Sequence, residues 1–192
     1  AIKVLDWLRI KDKIKAQGIE LNKLEITNTQ LMPFKKIKNE IVQDKAGNKT
    51  IAIHRARLQK LLYDEVSKKA TIQLNKTYVD HNSDSGSVNV KFKNGEEEKV
   101  DFLIGADGIN SKVRQSLFPA SRTRSAKQVC WRGIAKMRLP EALNQLGQEA
   151  WGNQIRFGFS SIHNNEVYWF AVANEVHLKQ AESTIHKKYL YE

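Results

Sequence analysis

The chain has 192 residues, 41% hydrophobic and 28% charged, which is enough for one sizeable core or two small ones and too apolar for wholesale disorder. Its 10 glycines and 3 prolines exclude collagen-like and low-complexity classes, and no apolar run reaches the roughly 20 residues that a membrane-spanning helix needs. The formal charge of +11 is concentrated at the two ends, 14 basic against 6 acidic groups over residues 1–62 and 10 against 6 over 119–192. These lysines interleave with apolar positions instead of forming the aromatic–basic stripe of a single-strand binder, so no nucleic-acid partner is expected.

The first residues, AIKVLDWLRIKDKIKAQG, place Val4, Leu5, Leu8 and Ile14 near a 3.6 period and predict one amphipathic helix ending at an αL cap on Gly18. No capping residue precedes Ala1, as expected of a chain cut within or just before a helix. The segment also lacks the apolar core and cleavage site of a signal peptide, and a single cysteine, Cys130, permits no internal disulfide. Both point to a cytoplasmic protein. His54, His81, His163, His177 and His186 stand at no metal-ligand spacing, so no metal is expected.

Residues 24–29 alternate like a strand, and Asp44–Lys49 reads as a turn before the short strand TIAI. From His54 the pattern becomes helical, with Leu58, Leu61, Leu62 and Val66 on one face. A strand over ATIQLNKTYVD follows, then a hairpin about Asn94-Gly95. The continuous run Phe102-Leu103-Ile104 predicts a strand buried on both faces, leading through a glycine-bearing turn to a short helix that includes Val113. Such a strand calls for parallel neighbours that the rest of the chain does not offer. Beyond Pro119, VCWRGIAKMRL and EAWGNQIRFGFSSIHNNEVYWFAVAN read as three strands, the last two joined across His163–Asn165. Trp151, Ile155, Phe157 and Phe159 supply one apolar face, and Gln154, Arg156 and Ser160 the other. Trp131, Trp151, Trp169 and Phe157 read as packing residues. The tail, 177–192, reads as a polar helix.

The stretch from Gly105 to Arg114, GADGINSKVR, carries the most chemistry. A glycine turn opening a helix brings backbone N–H groups within reach of a phosphate. Asp107 can accept a hydroxyl hydrogen bond, and Arg114 can reach a pyrophosphate or pair with the aspartate. Taken alone, the same residues also make an ordinary turn.

The stretch DFLIGADGINSKVR resembles the "DG" motif of the flavin-dependent monooxygenases of the p-hydroxybenzoate hydroxylase class. Arg55-Ala56-Arg57-Leu58-Gln59 is similar to that family's RxxL helix, usually R-x-D-L, with Arg57 where the family commonly has aspartate. Trp131-Arg132-Gly133, the strand about Trp151–Phe159, and Tyr168-Trp169-Phe170 resemble substrate-domain strands of the aromatic hydroxylase and zeaxanthin epoxidase-like branch. The GxGxxG unit and the GDAAH-type motif of the family are not in these residues, so the resemblance implies a central fragment of a longer enzyme, one that by itself is expected to be inactive and not to retain FAD.

The resemblance implies an α/β (mixed α+β) fold, a partial FAD/NAD(P)-binding domain with an inserted antiparallel substrate-binding sheet. Segments 1–25 and 54–120 would form the first and 26–53 and 121–192 the second. It further implies an FAD-dependent, NAD(P)H-using monooxygenase acting on a small aromatic or unsaturated compound with molecular oxygen, through a C4a-hydroperoxyflavin. Arg55, Gln59, Gly105, Asp107, Gly108 and Arg114 match cofactor-binding positions. Arg156 and Tyr168 fall on strands that cover the substrate, where an arginine suits a carboxylate or enolate and a tyrosine a phenol. As an exposed charge and a rim aromatic these two are equally ordinary. A related flavin reductase or halogenase, and a non-catalytic basic polyanion-binding module, are the alternatives.

Overall fold

The computed structural model describes residues 2–37, 49–163 and 165–176. The chain forms two compact units, residues 1–68 with 127–192, and residues 69–126.

In the first unit the N-terminal segment is two helices, α1 (Ile2–Trp7) and α2 (Lys11–Gln17), where the periodicity predicts one. The break has a local cause: Arg9 takes a left-handed conformation (φ 58°), which turns Ile10 inward. Ile10 and Ile14 are then 2% and 1% exposed. Gly18 is not an αL cap. It is extended (φ −131°) and opens β1 (Gly18–Glu20), which pairs antiparallel with β4 (Ile51–Ile53). Between them lie β2 (Lys23–Thr27) and β3 (Pro33–Ile37). β4 runs directly into α3 (Arg55–Val66), whose N-cap is His54; its ring Nδ1 accepts from the Ala56 amide at 3.0 Å. That bond satisfies one of the amides a helix start leaves unpaired.

The rest of the unit is a sheet completed by β8 (Gln128–Lys136), β9 (Leu146–Trp151), β10 (Ile155–Ser161) and β11 (Glu166–Asn174), in the order β3-β2-β9-β10-β11-β8. All its pairs are antiparallel except β2–β9. The sequence reading merged β9 with β10. A break at residues 152–154 separates them, and the register places Trp151 opposite Arg156. Trp151 therefore shares the face of Arg156 and not that of Phe157. The apolar face of β10 also faces outward. Trp131, Trp151 and Phe157 are 44%, 44% and 47% exposed, which corrects their reading as packing residues. Phe157 stacks on Trp169, with ring centroids 6.3 Å apart.

The second unit is a meander of β5 (Tyr78–Asp84), β6 (Ser87–Phe92) and β7 (Glu97–Val100) followed by α4 (Lys112–Leu117). The Asn94-Gly95 hairpin forms between β6 and β7, with Gly95 at φ +86°, a conformation glycine adopts without steric cost. Residues 71–77, expected as the start of β5, are irregular. The expected strand over Phe102–Ile104 is also absent. The run is irregular and without a ladder partner, and Phe102 and Ile104 are each 87% exposed. Continuous apolarity signals a surface that burial would favour, but a strand also needs a hydrogen-bonding partner, and no strand among the described residues pairs with this run. The expected helix including Val113 is α4, and Val113 is 6% exposed. The turn expected over 44–49 lies, apart from Lys49, outside the described residues, as does the tail from 177. No helix among the described residues is long and apolar enough to cross a membrane.

Candidate functional site

Two places concentrate the candidate residues, one in each unit. In the second unit, Gly105, Asp107, Gly108 and Arg114 belong to a single turn. The Asp107 carboxylate accepts from the Ser111 hydroxyl and from the Lys112 amide at 2.7 Å, with a longer contact from the Val113 amide at 3.4 Å. Ser111 in turn accepts from the Arg114 amide at 3.0 Å. The Ser111 hydroxyl first, with the backbone amides, holds the Asp107 carboxyl below its ordinary pKa. The Arg114 guanidinium donates to the Ile109 carbonyl at 2.6 Å and so closes the turn on itself.

This geometry changes where a phosphate can sit. The first-turn amides of α4 are already committed to Asp107 and Ser111, whereas the amides of Gly108, Ile109 and Asn110 donate to nothing among the described residues. Gly108 is at φ +81°, and no atom lies within 4 Å of where its Cβ would be. The turn therefore offers free donors beside open space, and the one carboxylate there is already hydrogen-bonded. These are the features a pyrophosphate requires. At Gly105 a Cβ would fall 2.7 Å from the Val113 Cβ, so a glycine lets the turn lie against α4.

In the first unit, the start of α3 faces the β8 and β11 end of the sheet across a pocket of about 570 Å³. Ile53, Leu58, Ile134 and Ile162 give it apolar walls, and Arg55, Arg132 and Tyr168 line it as well. The structure thus brings Arg55 and Tyr168 together. Gln59 lies one turn along α3, exposed and outside this lining. Arg156 shares the sheet face of Tyr168 but lies in a separate cleft beside Trp151, with its guanidinium 3.2 Å from the Glu149 carboxylate. A partly buried ion pair, Arg57 to Glu166 at 2.7 Å, clamps α3 to the start of β11. This gives the arginine at that position a structural task.

Two pocket residues escaped the sequence reading. His54 lines the pocket while capping α3. Arg132 stands opposite Phe170 on β11, beside the pair Ile134–Tyr168. The side chain of Cys130 first, and then the phenol of Tyr168, hold its guanidinium above the ordinary arginine pKa. Strand alternation puts Arg132 and Ile134 on one face, and only the cross-strand register, which sequence does not supply, reveals that Tyr168 shares it. A larger cleft of about 770 Å³ near Lys15, Asn22 and Lys23 is less suited to a ligand. Several of its polar side chains are already paired, Lys15 with Glu20 at 2.8 Å, Asn22 with Gln145 at 2.6 Å and Lys23 with Glu25 at 2.7 Å.

Residues 1–187 match the FAD binding domain family. The chain is 30% identical over 171 residues to aurachin C monooxygenase/isomerase of Stigmatella aurantiaca, covering 86% of this chain and 43% of that protein. It is 33% identical over 127 residues to the chloroplastic zeaxanthin epoxidase of Solanum lycopersicum, covering 66% of this chain and 19% of that protein. The fold is similar to that of Klebsiella pneumoniae HpxO complexed with FAD and uric acid, with a TM-score of 0.77 at 22% identity, over 89% of this chain and 44% of that one. The chain therefore spans less than half the length of these relatives.

Proposed function

The chain belongs to the FAD binding domain family, and from that premise we propose that it forms the central part of a flavin-dependent monooxygenase. In this reading FAD, reduced by NAD(P)H, supplies the oxygen-activating chemistry, and the protein inserts one oxygen atom into a small aromatic or unsaturated substrate. The balance is substrate C–H, O₂, NAD(P)H and a proton going to the hydroxylated product, water and NAD(P)⁺. Epoxidation of a double bond follows the same accounting. Segments 1–25 and 54–120 serve the cofactor, and 26–53 and 121–192 the substrate.

The observation that carries the reading is the turn from Gly105 to Arg114, whose amides at Gly108–Asn110 have no acceptor among the described residues and whose Gly108 has open space where a side chain would stand. These amides hold the pyrophosphate, while Asp107 and Arg114 fix the turn that presents them. Arg55, at the mouth of the apolar pocket, faces the flavin, with Gln59 one turn behind it. Tyr168 orients the substrate by its hydroxyl, and Arg156 flanks it along the same sheet face. The apolar walls keep water from the reacting carbon, which matters because an activated oxygen species exposed to water is discharged without product. Asp107 is not an acid–base group here, since its carboxylate is occupied by three donors.

The test is turnover by the protein of the complete reading frame under heavy-isotope O₂ with NAD(P)H and a panel of planar aromatic compounds. One labelled oxygen atom in the product, with one NAD(P)H consumed, is the expected result. Substrate turnover without label would replace the monooxygenase by a flavin reductase or halogenase.

A further inference from the structure

The Arg132 guanidinium is hydrogen-bonded to the Cys130 side chain, a weak acceptor and not a carboxylate. Arg57 is paired with Glu166 and Arg156 with Glu149, but among the described residues no carboxylate pairs with Arg132 or with Arg55 across the pocket. The pocket therefore places two guanidinium groups that have no carboxylate partner among the described residues, and one phenol, among isoleucine and leucine walls. A neutral ligand filling it would strip water from Arg132 and return no acceptor of comparable strength, which is unfavourable. A ligand carrying an oxygen anion at one end would return a charge-assisted, two-pronged hydrogen bond, while its flat apolar body fills the rest. The Tyr168 hydroxyl can donate to the same anion.

We propose that Arg132 is a specificity-determining residue that selects planar apolar substrates bearing a conjugated oxygen anion, a carboxylate or an enolate. This deepens the flavin-monooxygenase reading and rests on it. It also moves the anion-binding role from Arg156, where the sequence puts it, to Arg132. The reason is that Arg156 already has a carboxylate partner, so an incoming anion must compete with Glu149.

The test is equilibrium dialysis of 2-naphthoate and its neutral twin 2-naphthamide against the protein purified from its complete reading frame, with and without saturating FAD. 2-Naphtholate at high pH serves as the enolate-like arm. The expected result is that an anion binds about tenfold or more tightly than the amide, the usual worth of a hydrogen bond to a charged group. The preferred arm identifies carboxylate or enolate. Arg132→Gln should bring the ratio close to one, Arg132→Lys should restore part of it, and Arg138→Gln, outside the pocket, should leave it unchanged. Equal affinities in the native chain, or an unchanged ratio in Arg132→Gln, would overturn the proposal. FAD affinity is measured in parallel. FAD binding with no anion preference sinks this inference alone, and an anion preference without FAD binding sinks the flavin reading alone.

Discussion

The approach of β1 to β4 aims α3 at the pocket, and Gly18 is the residue that permits it. Its backbone is extended, so alanine meets no conformational obstacle, and only space is at issue. A Cβ there would lie 2.7 Å from Ile51 Cγ2 and 2.8 Å from the Ala52 carbonyl oxygen, about 0.7 and 0.6 Å inside ordinary contact. The carbonyl belongs to the paired strand and cannot swing aside, so Gly18→Ala must push the strands apart. Overpacking of this kind costs about 1–3 kcal/mol. The smaller conformational freedom of the unfolded alanine chain returns about 0.4–1 kcal/mol. A net destabilisation of about 1–2 kcal/mol, the middle of the span of about 0–2.6 kcal/mol that these figures allow, is expected. Urea unfolding followed by tryptophan fluorescence reads the right unit, because Trp7, Trp131, Trp151 and Trp169 all lie in it. With a slope of about 2 kcal/mol per molar urea, the midpoint should fall by about 0.5–1 M. An unchanged or raised midpoint would show that β1 and β4 do not approach closely, and the placement of Arg55 derived from that pair would fall with it.

Asp107→Ala should free the Ser111 hydroxyl and the Lys112 amide, fray α4 and lower FAD affinity about tenfold or more; flavin fluorescence titration checks this, and unchanged affinity would reduce the turn to ordinary chain reversal. Glu65, bonded to Lys13 and Lys68, has its pKa lowered to about 2 from 4.5, chiefly by the Lys13 hydrogen bond. A depressed carboxyl pKa stabilises the fold above the unfolded value and loses that contribution as pH falls towards the folded one. The melting-temperature gap between native chain and Glu65→Gln should therefore be full at pH near 6, shrink below about 4.5 and narrow with added salt; a gap that widens on acidification would contradict the ion pair. A double-mutant cycle of Arg57→Gln and Glu166→Gln should give a coupling of about 1–2 kcal/mol, as for an ion pair between exposed and buried limits, and zero coupling would remove the α3–β11 clamp.

What the sequence made legible follows from how local each signal is. The Asn94-Gly95 hairpin, α3 from Arg55 and the turn into α4 were readable because turn chemistry and helical periodicity are written within a dozen residues. The break at Arg9 was hidden because it depends on Ile10 finding a buried place, a tertiary event. Phe102–Ile104 was misread for the opposite reason, since its composition suits a buried strand but no described strand pairs with it. The turn residues Gly105, Asp107, Gly108 and Arg114 could be named from their motif. That Asp107 consumes the helix amides and leaves those of Gly108–Asn110 free could not, because it is set by side-chain rotamers. Arg132 was missed, and Arg156 favoured, because which arginine of a sheet face has a carboxylate neighbour depends on register: Glu149 lies beside Arg156 only once β9 is aligned with β10.

The flavin content of the protein purified from its complete reading frame tests the central claim most directly. One FAD per chain is expected by visible absorbance, lost on Gly108→Val, which fills the open space beside the free amides and strains a positive φ. A colourless protein with no affinity for added FAD, or one whose flavin content is untouched by Gly108→Val, would contradict the account.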